Sequence, residues 1–490
     1  MKKICSILIL LVVIISTVIV PVSASTFEVP YENYIYSEVD GSIVSCPQAY
    51  LPNVEIFGSA LGIGEMSSPS DMDTDKNGDL YILDTGNNRV VVLNSNLSLK
   101  HTFDCITTDD VAQLPLSEAQ GITVTEKYVY ICDTNNDRIL VFDKNIGSFV
   151  RKFGAPTSSS LGDKFIFKPS RLEVDTEGNL YVICNGIYEG ILNLNADGEF
   201  LGYFASNKVS TSAWDLFWRN FSTVEQRKKM VQLIPQDFSS IDMDADGFFF
   251  VTTYTAISNS MVKRVNPGGN NVIRQKSAIS TVGDPSKYYG GTLEGKSSFS
   301  DVAAGPHKIY ACLDKTRGRV FCYNNDGYLL YNFGIISDRM GGFSNPVAVT
   351  YLDEARIAVL DIETNSVTVF EPTEYAKTIN LGVKYFNELN YQAASTEWEN
   401  VLTLNENFEL ALNMIGRSYY NDGEYEKAMD NFKRSGNNEM YSNAKEKLRS
   451  ERIYEHSWII VVVVLILLLL SLWSFIMRIV KKKNRHNDYD

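Results

Sequence analysis

The stretch PSDMDTDKNGDLYILDTGNNRVVVLN, residues 69–94, constrains the fold of this 490-residue chain more than any other. Two β-rich runs, LYIL and RVVVL, each follow a turn cluster: Asp75-Lys76-Asn77-Gly78 and Asp84-Thr85-Gly86-Asn87-Asn88. Runs of Val, Ile, Leu and Tyr bounded by Gly, Asn and Asp read as strands joined by tight turns. The pattern returns five times. The clearest copies are QGITVTEKYVYICDTNNDRILVFD (120–143), PSRLEVDTEGNLYVICNGIYEGILNLN (169–195) and NPVAVTYLDEARIAVLDIETNSVTVFE (345–371). FSSIDMDADGFFFVTTY (238–254) and FSDVAAGPHKIYACLDKTRGRVFCYN (299–324) are looser. Six β units in series, none able to bury both faces alone, point to an all-β six-bladed propeller over residues 54–372.

Pro69, Pro169 and Pro346 each stand fifteen residues before the end of a second strand, at Asp84, Cys184 and Asp361. Asp84/Arg89, Asp133/Arg138 and Asp314/Arg319 keep a D-x4-R spacing. Blade four has Thr253 where the others carry Asp, blade six has Ser366 for Arg, and blade three has neither partner. This combination resembles the NHL family of propeller repeats. The resemblance implies the fold; for activity it implies little, because such propellers include binding modules, scaffolds and a few enzymes. The Asp/Arg pairs read as structural ion pairs holding strand ends in register, each worth little by itself. A Phe-Gly signature marks the fourth strands at 152–169 and 332–346, and it recurs in EIFGSALGIGEMSSP (55–69), ahead of the first full blade. Blade six stops at Pro372 after three strands, so Val54–Phe57 is expected to complete it and remove an exposed sheet edge.

The two ends fix a topology. Residues 1–24 have Lys2 and Lys3, an apolar run and Val22-Ser23-Ala24, the pattern of a secretory signal peptide. Residues 25–53 form an N-terminal segment. Trp458–Met477 is twenty residues without a charge, long enough to span a bilayer, with Trp458 and Trp473 near its ends. Arg478, Lys481, Lys482, Lys483 and Arg485 follow, which puts the basic tail 478–490 in the cytoplasm. The expectation is a single-pass, bacterial cell-membrane protein with its N-terminus outside. Of 45 basic and 59 acidic side chains, 38 and 57 lie between leader and tail, a net −19. So acidic an exported region excludes nucleic acid as a partner, since phosphate contact needs clustered Lys and Arg.

Between blades three and four, residues 207–235 are an insertion. Trp214, Phe217, Trp218 and Phe221 recur at helical spacing, and Ser222 with Glu225 forms a capping box before VEQRKKMVQLI. This aromatic stripe either packs on the propeller or docks a partner. Asp73-x-Asp75-x-Asn77-Gly78, with Asp84 further on, and Asp242-x-Asp244-x-Asp246-Gly247 resemble the opening of a calcium loop. They fall between strands rather than helices, and tight turns demand the same residues. No cofactor is expected, with calcium as the alternative at these turns. Cysteines 46, 105, 132, 184, 312 and 322 read mainly as buried small side chains, with a Cys312–Cys322 disulfide left open.

From residue 375 the apolar period changes from two to 3.6. Gly382/Gly416, Tyr385/Tyr419, Tyr391/Tyr425, Ala394/Ala428 and Trp398/Phe432 are each 34 residues apart. The spacing resembles tetratricopeptide repeats over 375–435, within an α-helical region running to 455. A third helix, Asn438–Ile453, is expected to cap them. The propeller has two histidines, His101 and His307, in non-equivalent positions, and no nucleophile elbow, P-loop or HExxH. The expected function is a membrane-anchored extracytoplasmic scaffold for protein or peptide partners, accessory to an envelope transport or secretion complex. The alternative is a metal-dependent propeller hydrolase or lyase.

Overall fold

The computed structural model describes residues 28–105, 107–109, 112–162, 165–205, 237–257, 260–273, 281–284 and 296–487. The signal segment, Trp214, Phe217, Trp218, Phe221 and the end of the basic tail lie outside the described residues.

Each sequence repeat forms one antiparallel sheet whose strands follow chain order from the axis outward, except for the outermost strand of blade 6. In blade 1 these are Asp71–Thr74, Leu80–Asp84, Arg89–Leu93 and Leu99–Asp104. The second strands, such as Leu80–Asp84, Leu180–Cys184 and Ile357–Asp361, are buried along their whole length. A blade sandwiched between two neighbours needs apolar residues on both faces, so these strands read as continuous runs rather than alternations. Gly78 (φ 76°) and Asn88 (φ 56°) close the first two turns in the left-handed region, where Gly and Asn are least penalised. Blade 4 has three strands among the described residues: Phe238–Met243, Phe249–Ile257 and Ser260–Val265.

The innermost strands lie side by side in order, and blade 6 meets blade 1. The fourth strand of blade 6 comes from the N-terminal side: Tyr50–Phe57 pairs antiparallel with Ser366–Pro372, placing Ile56 opposite Val367. The closing strand is thus longer than the expected Val54–Phe57. Its first residue, Tyr50, is fully buried against Phe333, with ring centroids 4.9 Å apart.

Six C-terminal helices follow. Four form two hairpins: α1 (Glu374–Asn387) with α2 (Tyr391–Leu404), and α3 (Glu409–Asn421) with α4 (Tyr425–Arg434). Their close approach has the same cause in both. A Cβ on Gly382 would lie 2.8 Å from the Trp398 ring, and one on Gly416 would lie 2.8 Å from the Phe432 ring. Ala394 and Ala428 are fully buried, while Tyr385 and Tyr419 cover the hairpins half-buried. α5 (Asn438–Glu455) packs on α4, and α6 (Ser457–Asn487) begins after a break at His456. Ser457–Ile479 of α6 is long and apolar enough to cross a membrane, with none of it buried by the rest of the chain.

The helices share a core with the propeller. Ile379, Val383 and Met414 join Tyr331, Phe333 and Phe370 in one apolar cluster. Around it, the Tyr331 hydroxyl donates to Asn380 (2.7 Å), Asn387 donates to the His307 carbonyl (2.6 Å), and Arg417 pairs with Asp326 (2.7 Å). Residues 28–49, given no role from the sequence, act as a strap over this seam. Their hairpin, Tyr34–Tyr36 with Ile43–Ser45, lies against the outer strand of blade 5. Glu409 of α3 accepts hydrogen bonds from the Glu38 N–H (2.7 Å) and the Ser37 hydroxyl (3.1 Å).

Register excludes the open disulfide. Cys322 pairs with Ala311, one residue from Cys312, so the two thiols face opposite sides of blade 5. Cys322 faces the core shared with the helices and Cys312 the core shared with blade 4.

Candidate functional site

The strongest concentration of buried chemistry lies on the propeller axis. Innermost strands place residues i and i+2 on one face, so Asp71 and Asp73, Arg171 and Glu173, Ser240 and Asp242, and Asp301 line a single channel. Five carboxylates and one guanidinium converge here from four blades. The signal in the sequence is acids two apart in the first strand of a repeat, but no local motif marks which face of a strand meets the axis.

These carboxylates are already occupied. Asp71 accepts the N–H of Ile122 (2.9 Å), Asp73 that of Val124 (2.6 Å), Asp242 that of Ala304 (2.6 Å) and Asp301 that of Val349 (2.7 Å). Every one of these bonds crosses to the next blade. Innermost strands of neighbouring blades do not share a ladder, so side chains from one blade satisfy backbone donors of the next. Asp301 also accepts from the Ser240 hydroxyl of blade 4 (2.6 Å). The free space left is about 30 Å³, the share of one water molecule and far below a substrate pocket.

The electrostatics follow from enclosure. Loss of hydration pushes the Asp71 carboxyl up to about 7, although the Arg171 guanidinium 3.6 Å away pulls it down. Asp242 rises to about 7 for the same reason, against the pull of the Ala304 and Met243 N–H groups. Burial, then the Asp242 charge, raises Asp73 and Glu173 well above the usual carboxylate range.

The calcium-like turns do not assemble a site. Asp73 faces the channel, Asp75 caps its own turn and pairs with Lys144 (2.9 Å), and Asp84 sits in the hairpin beyond. In blade 4, Asp242 faces the channel, Asp244 pairs with Arg264, and Asp246 pairs with Lys308 (2.9 Å). His101 lies on the outermost strand of blade 1, whereas His307 lies in a turn of blade 5 beneath α1. Among the described residues no three His, Cys, Asp or Glu side chains form a group that could hold a metal ion.

The repeat pairs divide. Arg89 donates to Asp84 and Arg138 to Asp133, each through Nε at 2.7 Å. Both aspartates are fully buried, so these pairs are not the weak surface contacts expected from the sequence. In blade 5 the expected pair does not form. Arg319 donates instead to the Glu32 carbonyl (3.2 Å) and to Asn332 (3.0 Å), and its guanidinium lies 4.8 Å from the centre of the Tyr34 ring. Asp314 caps the turn through the N–H groups of Ser298 and Thr316, and burial pushes it up to about 6.

No curated protein matches the chain. Among solved structures it is similar to a catalytically inactive virginiamycin B lyase from Staphylococcus aureus, at 12% identity and a TM-score of 0.39, over 68% of this chain and 86% of that one. It is also similar to hydrazine synthase of Kuenenia stuttgartiensis (11%, 0.36, 63% and 96%) and to a Bacteroides thetaiotaomicron protein of unknown function (12%, 0.41, 70% and 76%). Likenesses this distant carry no argument about activity. Residues 66–93 match the NHL repeat, and the chain folds that repeat and its five companions into a six-bladed β-propeller.

Proposed function

We propose that this protein is a membrane-anchored extracytoplasmic scaffold that holds protein or peptide partners, accessory to an envelope transport or secretion complex. The observation that carries the reading is the state of the channel: four of its five carboxylates are engaged as blade-to-blade latches around about 30 Å³ of space. That leaves the outer surfaces for recognition. The shared core of propeller and helices makes them one body attached directly to an apolar helix, an arrangement suited to presenting a surface near a membrane. We read the two 34-residue hairpins as tetratricopeptide units and their groove as one docking place. The Trp214/Trp218 insertion is the other, because Trp buries a large area with few rotamers to freeze.

Crosslinking in native membranes, followed by identification of what is captured, tests the class. Recovery of defined envelope proteins is the expected result. Turnover of a small substrate dependent on a stoichiometric transition metal would replace the scaffold with a lyase or hydrolase. Deleting Lys208–Pro235 then separates the docking places: continued capture by a folded protein assigns the partner to the helices.

A further inference from the structure

Helix α5 reaches the membrane end of the molecule with cations along one side. Lys445, Arg449, Arg452 and His456 recur at i, i+4, i+7 and i+11, a single helical stripe. This stripe borders an open groove of about 750 Å³ between α4, α5 and the start of α6. The floor is apolar: Met429 of α4, Leu448 of α5, and Ile459 and Ile460 of α6. Arg452 is balanced by Glu426 of α4. Among the described residues neither Lys445 nor Arg449 has an ion-pair partner, and both are exposed. Like charges stacked four residues apart on a helix repel one another, so an anion between them relieves a cost the fold otherwise carries.

Ile459 and Ile460 begin the apolar segment Ser457–Ile479. The groove therefore opens onto the side of that segment, so one ligand must satisfy cations at one end and hydrocarbon at the other. We infer that the groove seats an anionic phospholipid, its phosphate between Lys445 and Arg449 and an acyl chain over Leu448, Ile459 and Ile460. A free phosphate or acidic peptide would meet the cations but leave the apolar floor wet. A zwitterionic lipid would cover the floor, but its own ammonium group offsets the phosphate charge that the cations call for. The inference rests on α6 lying in a membrane, which alkaline extraction of membranes tests independently of any lipid preference.

The test uses the full-length chain in neutral detergent, titrated with phosphatidylglycerol or phosphatidylcholine, with bound lipid counted by native mass spectrometry. Preferential retention of phosphatidylglycerol is expected. Neutralising one groove cation should weaken it about 5-fold, and Lys445→Gln with Arg449→Gln about 30-fold. Lys447→Gln, on the same helix but off the stripe, should leave retention unchanged. Leu448→Ser with Ile459→Ser should weaken it as well, and millimolar inorganic phosphate should not displace the lipid. Equal retention of the two lipids by the unmodified chain overturns the inference without reference to any variant. Displacement by phosphate reassigns the site to a small anion. Crosslinking from position 448 to a membrane protein, with no lipid preference, reassigns it to a partner helix.

Discussion

Blades 2 and 5 carry the same D-x4-R hairpin, and their arginines end in different places. In blade 2, Arg138 turns back onto the fully buried Asp133, which also accepts from Ser117 and Asn136. In blade 5, the strap crosses the outer strand and offers the Glu32 carbonyl and the Tyr34 ring, and Arg319 takes those instead. Asp314 is left with the N–H groups of Ser298, Thr316 and Arg317 and the Ser297 side chain in place of a guanidinium. A local motif thus sets which side chains are within reach. A segment almost 300 positions away in the sequence decides which contact forms.

The largest effect separating the two blades is expected from Arg138→Ala. It strands a buried carboxylate and should cost about 3–5 kcal/mol in chemical denaturation of the detergent-solubilised chain. A loss below about 1 kcal/mol would mean that the blade 2 pair is as dispensable as a surface one.

Next comes pH. Burial raises the folded pKa of Asp314 to about 6, so the native state holds a proton that the unfolded chain releases near 4. Its contribution is therefore fully favourable below about 4 and is lost progressively as pH rises through 6. Asp71 and Asp242 act in the same direction up to about 7. The midpoint of denaturation should be higher at pH 5 than at pH 8, and Asp314→Asn should remove blade 5's share of the slope. An unchanged slope would place the proton elsewhere.

Arg319→Ala should be milder, about 1–2 kcal/mol, because it removes hydrogen bonds to neutral acceptors and a ring contact and strands no buried charge. Limited proteolysis should instead find residues 28–46 cut faster, while the blades remain resistant. Equal protection of the strap in both proteins would show that its aromatic packing, not Arg319, holds it down.

Much of this was legible from residues. Strand runs and turn clusters located the described blade strands, because a strand buried on both faces has to be apolar throughout. The unfinished sixth blade predicted where the N-terminal strand would go. The 34-residue pairs marked Gly382, Gly416, Trp398 and Phe432 as equivalent positions, and the structure sets each glycine against the ring of its own hairpin, Gly382 on Trp398 and Gly416 on Phe432. The channel was not legible. Asp71 and Asp242 look like turn-proximal acids until closure of the ring shows that they face the axis, and the calcium-like spacing pulled the reading toward the turns instead.

The sequence by itself determined what depends on neighbours a few residues apart: strand, turn, hairpin, helix pair and the apolar span. It also fixed the number of blades, since each repeat specifies one sheet. Tertiary structure alone decided the rest. Closing the ring aimed six charged side chains at one axis and gave four of the five carboxylates their cross-blade donors. Packing the helices and the strap on blade 5 redirected Arg319, and the register of that blade set Cys312 and Cys322 on opposite faces. The physical reason is the same throughout. A backbone conformation is selected by local sterics and burial pattern, whereas a buried polar group takes the partner that the assembled fold brings within hydrogen-bonding distance.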